Sequence, residues 1–316
     1  MHKIVVIGEI LVEIMADSIG EGFLTPIALT GPFPSGAPAI FIDQVARLSQ
    51  PCAILSAVGD DDFGRLNLNR LAADGVDISA VAIDADRPTG SAFVRYKADG
   101  TRDFVFNIRH SASGFFSATA ASERVLESAD HIHVMGSSFS SPAFAALNLR
   151  AAQAIKVRGG TVSFDPNIRK ELLALPHIRT VMEQILRVTD LFLPSGDELF
   201  LFTQGSDLAA AAQDLLGRGI RAIVHKQGAK GVGYYDHTGY RFTPAFAVDE
   251  VDPTGAGDCF GGAFTVFWVR GVDIETALTL AAAAGALAVT RRGPMEGIAD
   301  LVTLQKFAAI QKRNVE

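Results

Sequence analysis

The run Val251-Asp252-Pro253-Thr254-Gly255-Ala256-Gly257-Asp258-Cys259-Phe260-Gly261-Gly262-Ala263-Phe264 decides how the chain is read. Asp-Pro forms a turn, small residues then leave backbone N–H groups uncovered, and Asp258 stands where an apolar helix begins. A helix start carries unpaired N–H groups and the positive end of the dipole, so it binds phosphate without many basic side chains. Gly255, Ala256 and Gly257 would cradle such an anion, with Asp258 beside it as a base. Gly261 and Gly262 each cost roughly 1 kcal/mol against Ala inside a helix, so a neighbouring backbone or a ligand is expected close to that first turn.

Other glycine loops are excluded. The Walker pattern needs Lys-Ser/Thr after its last glycine, and the dinucleotide fingerprint needs two residues between its second and third glycines, whereas Gly257 and Gly261 have three between them. The run Asp-Pro-Thr-Gly-Ala-Gly-Asp, followed by Gly-Ala-Phe, resembles the second signature of the ribokinase-like (PfkB) sugar kinases at every restricted position. The resemblance extends over about residues 3 to 295. It implies phosphoryl transfer from ATP to a sugar hydroxyl, with Asp258 as base and the Gly255 to Gly257 amides as anion hole. An ordinary carboxylate, with a pKa of about 3.9, suits this chemistry because the transfer is largely dissociative and the hydroxyl proton leaves late. A purely structural reading, a Gly-rich helix start with an N-terminal Asp, competes with it.

Around this stretch lie 316 residues, 48% hydrophobic and 20% charged, enough to bury a large core. A formal charge of -7 and a pI near 5.5 argue against a nucleic-acid footprint. Cys52 and Cys259 lie far apart in apolar surroundings, so no disulfide framework is expected and the compartment is read as cytoplasmic. Glu9 and Glu13 interrupt the apolar N-terminal run, unlike a signal peptide, and Ala277 to Val289 is too short to span a bilayer, so no membrane role is expected.

The short β-branched run Lys3 to Ile7 has the pattern of a strand buried on both faces of a parallel sheet. Ligands bind at the carboxyl end of such strands, which makes Glu13 a candidate sugar ligand or, on the plainer reading, a solvated edge-strand acid. Ser35-Gly36-Ala37-Pro38-Ala39-Ile40 resembles the family's first signature, placing Gly36 and Ala37 at the sugar. Ser35 replaces a Gly, and Ile40 stands where the family has a sugar-binding Asn; an Ile cannot hydrogen-bond hydroxyls. Asp60-Asp61-Asp62 is read as complementing a helix dipole rather than as a metal site.

Thr89 to Tyr96 and Arg102 to Ile108 form a hairpin around Asp99-Gly100. With the earlier segment they resemble the family's lid, formed by about 11–33 and 88–110, which excludes water and in many relatives makes the dimer contact. The expected architecture is therefore α/β: one ribokinase-like domain over 1–316, with a doubly wound, mainly parallel sheet flanked by helices and a small β lid. A homodimer through that lid is the implied assembly. Arg109 matches the substrate-contacting Arg of the aromatic-x-Arg segment in ketodeoxygluconate kinases. His131 and His133 share one face of a strand, a spacing that suits zinc, but third and fourth ligands are not evident.

Asp165-Pro166-Asn167-Ile168-Arg169 resembles an Asp-x-Asn-x-Arg segment of ketodeoxygluconate and fructose kinases, whose Asn and Arg face the reacting groups. Arg169 would bind the transferring phosphoryl oxygens in a fork. Ser195-x-x-Glu198 resembles the family's Asn-x-x-Glu, implying Mg2+ held by Glu198 through water and Ser195 near ATP. Lys226-Gln227-Gly228-Ala229-Lys230-Gly231 resembles its nucleotide loop, with Lys226, Gly228 and Gly231 at ATP; a plain hairpin turn is the competing reading. The resemblance also implies a monovalent cation, K+, at Asp252 and Thr254; in relatives the alanine-rich helix from Asp273 through Val289 and the turn Thr290-Arg291-Arg292-Gly293 wall the adenine, but small residues suit close helix packing equally well, so no adenine contacts are assigned.

The substrate implied is a ketohexose such as tagatose or fructose, phosphorylated at a terminal hydroxyl, or 2-keto-3-deoxygluconate. Two rivals stand beside it: a nucleoside kinase of the same fold, and a sugar sensor without catalysis, which would have no need of Asp258 and a full anion hole.

Overall fold

The computed structural model describes residues 2–168 and 176–313. The chain opens with β1 (Ile4–Ile7), passes through β2 (Leu11–Ala16) and β3 (Leu29–Ser35), and returns by α1 (Ala37–Arg47) to β4 (Cys52–Gly59). Then come α2 (Asp62–Asp74), β5 (Val81–Asp84), β6 (Gly90–Tyr96) and β7 (Arg102–Asn107). Regular alternation resumes with α3 (Ala120–Glu127), β8 (His131–Met135), α4 (Pro142–Val157), β9 (Thr161–Asp165), α5 (Pro176–Leu186), β10 (Leu191–Phe192), α6 (Leu208–Gly217) and β11 (Ala222–Lys226). Strands β12 (Val232–Asp236) and β13 (Gly239–Thr243) precede α7 (Ala256–Val269), α8 (Ile274–Ala288) and α9 (Leu301–Arg313).

The large sheet runs β13-β12-β11-β10-β9-β8-β1-β4-β5, parallel except for β12 and β13 at one edge. Strands β1, β4 and β8 are buried along their whole length, as expected where helices cover both faces. The chain leaves β1 towards β4 on one side and later fills β8 on the other, so strand order reverses between β1 and β8. That reversal opens a crevice at the carboxyl ends, where such folds hold ligands. Ser138 Oγ donates to Glu9 Oε2 across 3.0 Å at this point.

The second sheet runs β3-β2-β6-β7. It contains the expected hairpin, with Tyr96 opposite Arg102, but β2 pairs with β6 in parallel and lies inside the sheet. Glu13 is therefore not a solvated edge acid. It is buried on a central strand and accepts from Ser35 Oγ at 3.1 Å.

Two local expectations find their causes in packing. A Cβ on Gly262 would stand 2.6 Å from the Phe41 carbonyl oxygen, so this glycine lets α7 lie against the α1 backbone. Asp61 caps α2, its Oδ1 accepting from the Gly64 amide at 2.8 Å, which is the helix-start role read for the acidic triplet. Among the described residues no helix is long and apolar enough to cross a membrane.

Candidate active site

Four parallel strands deliver polar residues to one end of the sheet. Glu9 follows β1, Asp165 ends β9, Ser195 and Glu198 follow β10, and Lys226 ends β11. Helix α7 points its amino terminus into the same space. Its N-cap is Gly255, at φ +81°, and no side chain caps it. The first-turn amides of Gly257 and Asp258 have no carbonyl four residues back within the helix, so the turn offers donors to an anion.

A Cβ on Gly255 would meet the Pro294 carbonyl oxygen at 2.5 Å and the Ile40 side chain at 3.3 Å. Glycine is thus required twice, by its left-handed backbone and by close packing. Ile40 is buried beside this turn, where the family's Asn was expected. Gly36 has its own reason for lacking a side chain, since a Cβ there would lie 2.5 Å from the Glu9 carbonyl oxygen, and Ala37 begins α1 beside it.

Asp258 remains partly solvent-accessible, yet protein surrounds its carboxyl. Burial pushes its pKa up to about 7, aided by Asp165 and more weakly by Glu9 and Glu13, while Lys226 opposes them. Asn167 Nδ2 lies 3.5 Å from Asp258 Oδ1, at the limit of a hydrogen bond. Asn167 itself sits at φ +38°, and its amide donates to Asp165 Oδ1 at 3.1 Å. Arg169, expected to grip the phosphoryl oxygens, lies outside the described residues.

Lys226 Nζ is bound to the Asp165 carboxylate. Burial works against the lysine charge, but Asp165, Glu198 and Asp258 outweigh it and hold its pKa above the ordinary value. Its ammonium lies 3.7 Å from where a Cβ on Gly257 would stand, which places it against the first turn of α7. The glycines after it behave differently. The loop is the hairpin turn between antiparallel β11 and β12, and the space beside Gly231 is filled by the Thr243 carbonyl, 2.2 Å from a Cβ there. Gly228, at φ +56°, has open space around it.

Glu198 clasps two loops, accepting from the Ile168 amide at 2.8 Å and the Ser195 amide at 2.7 Å. Burial, then Asp165, raises its pKa. Each oxygen keeps a lone pair, so the carboxylate fits the water shell of a hard cation. Among the described residues no three His, Cys, Asp or Glu side chains converge to bind a metal directly. His131 and His133 turn inward and share Ser163 Oγ, each at 2.7 Å. Burial keeps both rings neutral, and His133 stacks on Phe41 with ring centroids 3.7 Å apart.

The remaining expected contacts lie at the lid. Arg109 is exposed one residue beyond Ile108, which clusters with Leu11 and Ala92 at the lid base. Asp252 is buried; its Oδ1 accepts from Tyr96 Oη at 2.5 Å and the Thr254 amide at 3.0 Å, its Oδ2 from the Gly293 amide at 2.9 Å. In the turn after α8, Arg292 pairs with Asp17 of the lid at 2.6 Å. Sequence reasoning gave no role to Asp165, Glu9 or Tyr96. A signal existed for the first two, each an acid directly at the end of a buried strand.

A helix start with open amides and a perturbed carboxylate, gathered at the carboxyl ends of the sheet beside a small second sheet, fit a phosphotransferase site. Comparison with known proteins names the class more closely: the chain belongs to the pfkB family of carbohydrate kinases, whose model matches residues 1–300. It is 29% identical over 314 residues to a fructokinase of Vibrio alginolyticus, covering 97% of this chain and 99% of the relative. It is 30% identical to a 2-dehydro-3-deoxygluconokinase of Thermoproteus tenax over 307 residues, 94% of this chain and 91% of that one. Among solved structures it resembles a putative ribokinase II from E. coli in complex with ATP and Mg2+, with TM-score 0.93 and 46% identity over 98% and 100% of the two chains. It also resembles a fructokinase double mutant from Vibrio cholerae with bound fructose, ADP and potassium, with TM-score 0.82 and 26% identity over 98% of each. The protein is an ATP-dependent sugar kinase.

Proposed function

We propose that this kinase phosphorylates a neutral ketohexose, fructose or tagatose, at its terminal hydroxyl. The observation that carries the reading is the charge of the crevice. Asp165, Glu9 and Glu13 act on Asp258, and Asp165, Glu198 and Asp258 act on Lys226, the one cation among the described residues whose charge is felt at Asp258. A sugar-acid carboxylate entering beside Glu13 would meet like charge with little screening, whereas a polyol offers hydroxyl donors to the same acids. The neighbours named for fructose support this reading, and the one named for 2-dehydro-3-deoxygluconate supplies the competing substrate.

Asp258 takes the proton of the attacking hydroxyl as the new O–P bond forms and ADP departs. The Gly255 to Gly257 amides and Lys226 hold the charge of the transferring phosphoryl group, with Arg169 assigned to the same task. Glu13, Gly36, Ala37 and Arg109 frame the sugar. Asn167, Ser195 and Gly228 border the ATP side. Glu198 would hold Mg2+ through water, and the bound ion would neutralise the phosphate charge.

We also assign a homodimer through the lid. Phe104 and Phe106, stacked at 4.9 Å, lie exposed with Val105 and Leu29 on lid strands β7 and β3. Apolar side chains gathered on a small sheet call for a cover. Sedimentation of the wild type and Phe106→Asp tests this: a dimer that the variant splits supports it, a monomeric wild type overturns it.

The substrate test is Mg2+-dependent ADP release across ketohexoses, 2-keto-3-deoxygluconate, pentoses and nucleosides. Turnover confined to a ketohexose upholds the reading. A sugar acid preferred by kcat/KM replaces it, and nucleoside turnover alone moves the enzyme to the other branch of the fold.

A further inference from the structure

The lid touches the phosphate-binding turn through two side chains. Tyr96 and Arg102 face each other across β6 and β7, beside the hairpin turn. Tyr96 Oη donates to Asp252 Oδ1 and lies 3.0 Å from Thr254 Oγ1; Arg102 Nη1 donates to that same hydroxyl oxygen at 3.2 Å. Burial and the Asp252 charge raise the Tyr96 pKa, which keeps the phenol a donor. Asp252 lies three residues before the Gly255 N-cap, so whatever orients its carboxylate also sets the turn that presents the anion-hole amides.

A buried carboxylate must be compensated by donors or by a cation. Here the compensation is internal: one O–H and two N–H groups converge on Asp252, and a guanidinium stands on Thr254. A monovalent cation needs oxygen atoms turned towards it. Asp252 Oδ1 already takes two donors and Thr254 Oγ1 faces the Arg102 guanidinium, which would repel a cation on that oxygen; only Oδ2, with its single N–H, keeps a free lone pair, so these two residues do not fit the ion expected there.

We propose that Tyr96 and Arg102 are positioning residues that hold the Asp252–Thr254 turn from the lid, in the place of a monovalent cation. The phosphate-binding turn is then complete only with the lid closed, and the enzyme runs without K+. The proposal rests on the reading of Gly255 to Gly257 as the anion hole.

Its test has two arms. Amide hydrogen exchange of 251–258 is compared in the free wild type, Tyr96→Phe, Arg102→Ala and Arg102→Lys, each in KCl and in tetramethylammonium chloride. Exchange rising about tenfold in Tyr96→Phe and Arg102→Ala, the scale of one lost hydrogen bond, with Arg102→Lys near wild type and no effect of K+, is the expected result. Unchanged exchange in both variants overturns it, as does K+-dependent protection of the wild type. This arm needs no substrate, so an error in the sugar assignment leaves it intact. In the second arm, wild-type turnover with its best sugar is expected to be equal in the two salts; activation of about tenfold or more by K+, a differential interaction of about 1.4 kcal/mol, overturns the proposal.

Discussion

Lys226 and Asp165 form a buried ion pair across the carboxyl end of β10, from β11 and β9 on either side of it, and the ammonium stands against Gly257 at the start of α7. The two partners act on Asp258 in opposite directions: Asp165 raises its pKa and Lys226 lowers it. A base must be deprotonated to work, so with Asp258 near pH 7 the free enzyme's kcat/KM should rise through about pH 7 and level off above it. Removing the raising charge, in Asp165→Asn, should move the acid limb to lower pH. Lys226→Met should move it higher. A pH–rate profile of the three proteins checks both signs.

Asp258→Asn keeps the shape of the site but cannot accept a proton. Turnover should fall by at least about 10²-fold while sugar still raises the melting temperature. A variant retaining more than a tenth of wild-type kcat would remove Asp258 from the role of base.

Gly255→Ala places a methyl group 2.5 Å from the Pro294 carbonyl oxygen on a left-handed backbone. The expected cost is about 2 kcal/mol or more, read as a lowered denaturation midpoint, together with a loss of kcat. Gly228→Ala, at φ +56° in open space, should cost only about 1 kcal/mol of left-handed strain, and because Gly228 borders ATP its functional effect should show as a raised KM for ATP.

Ile40 is buried beside Gly255, and Ile40→Asn would restore the polar side chain of the family pattern. Burying an amide there should lower stability by about 1–3 kcal/mol unless a sugar hydroxyl pairs with it. The kcat/KM ratios among the panel sugars should therefore shift by about tenfold, the scale of one gained hydrogen bond. Unchanged ratios would place Ile40 outside the sugar contact.

Glu198→Gln keeps one acceptor and trades the other for an amide donor facing a backbone N–H. The clasp between Ile168 and Ser195 should weaken by about 1–3 kcal/mol, and half-saturation by Mg2+ should move to higher concentration. Titration of Mg2+ at fixed ATP separates the two effects, since a purely structural loss leaves the Mg2+ midpoint unchanged.

The sequence alone determined the alternation of strands and helices, the helix start at Gly255 and the carboxylate that follows it. These are local properties, set by residue size, β-branching and glycine within a few positions. It also placed the hairpin of the lid, because Asp-Gly between β-rich runs is a turn signal read within a few residues. Tertiary structure decided what depends on residues far apart in the chain. Glu13 became a central-strand acid only when β6 paired with β2 in parallel. A Cβ on Gly231 or Gly262 would meet the backbone of Thr243 or Phe41, contacts that no window around either glycine contains. Asp165 gained its weight from Lys226, 61 residues away, and Asp252 its donors from Tyr96, 156 residues away. Charge compensation in a buried site is a long-range property, fixed by which strand ends the sheet order sets side by side.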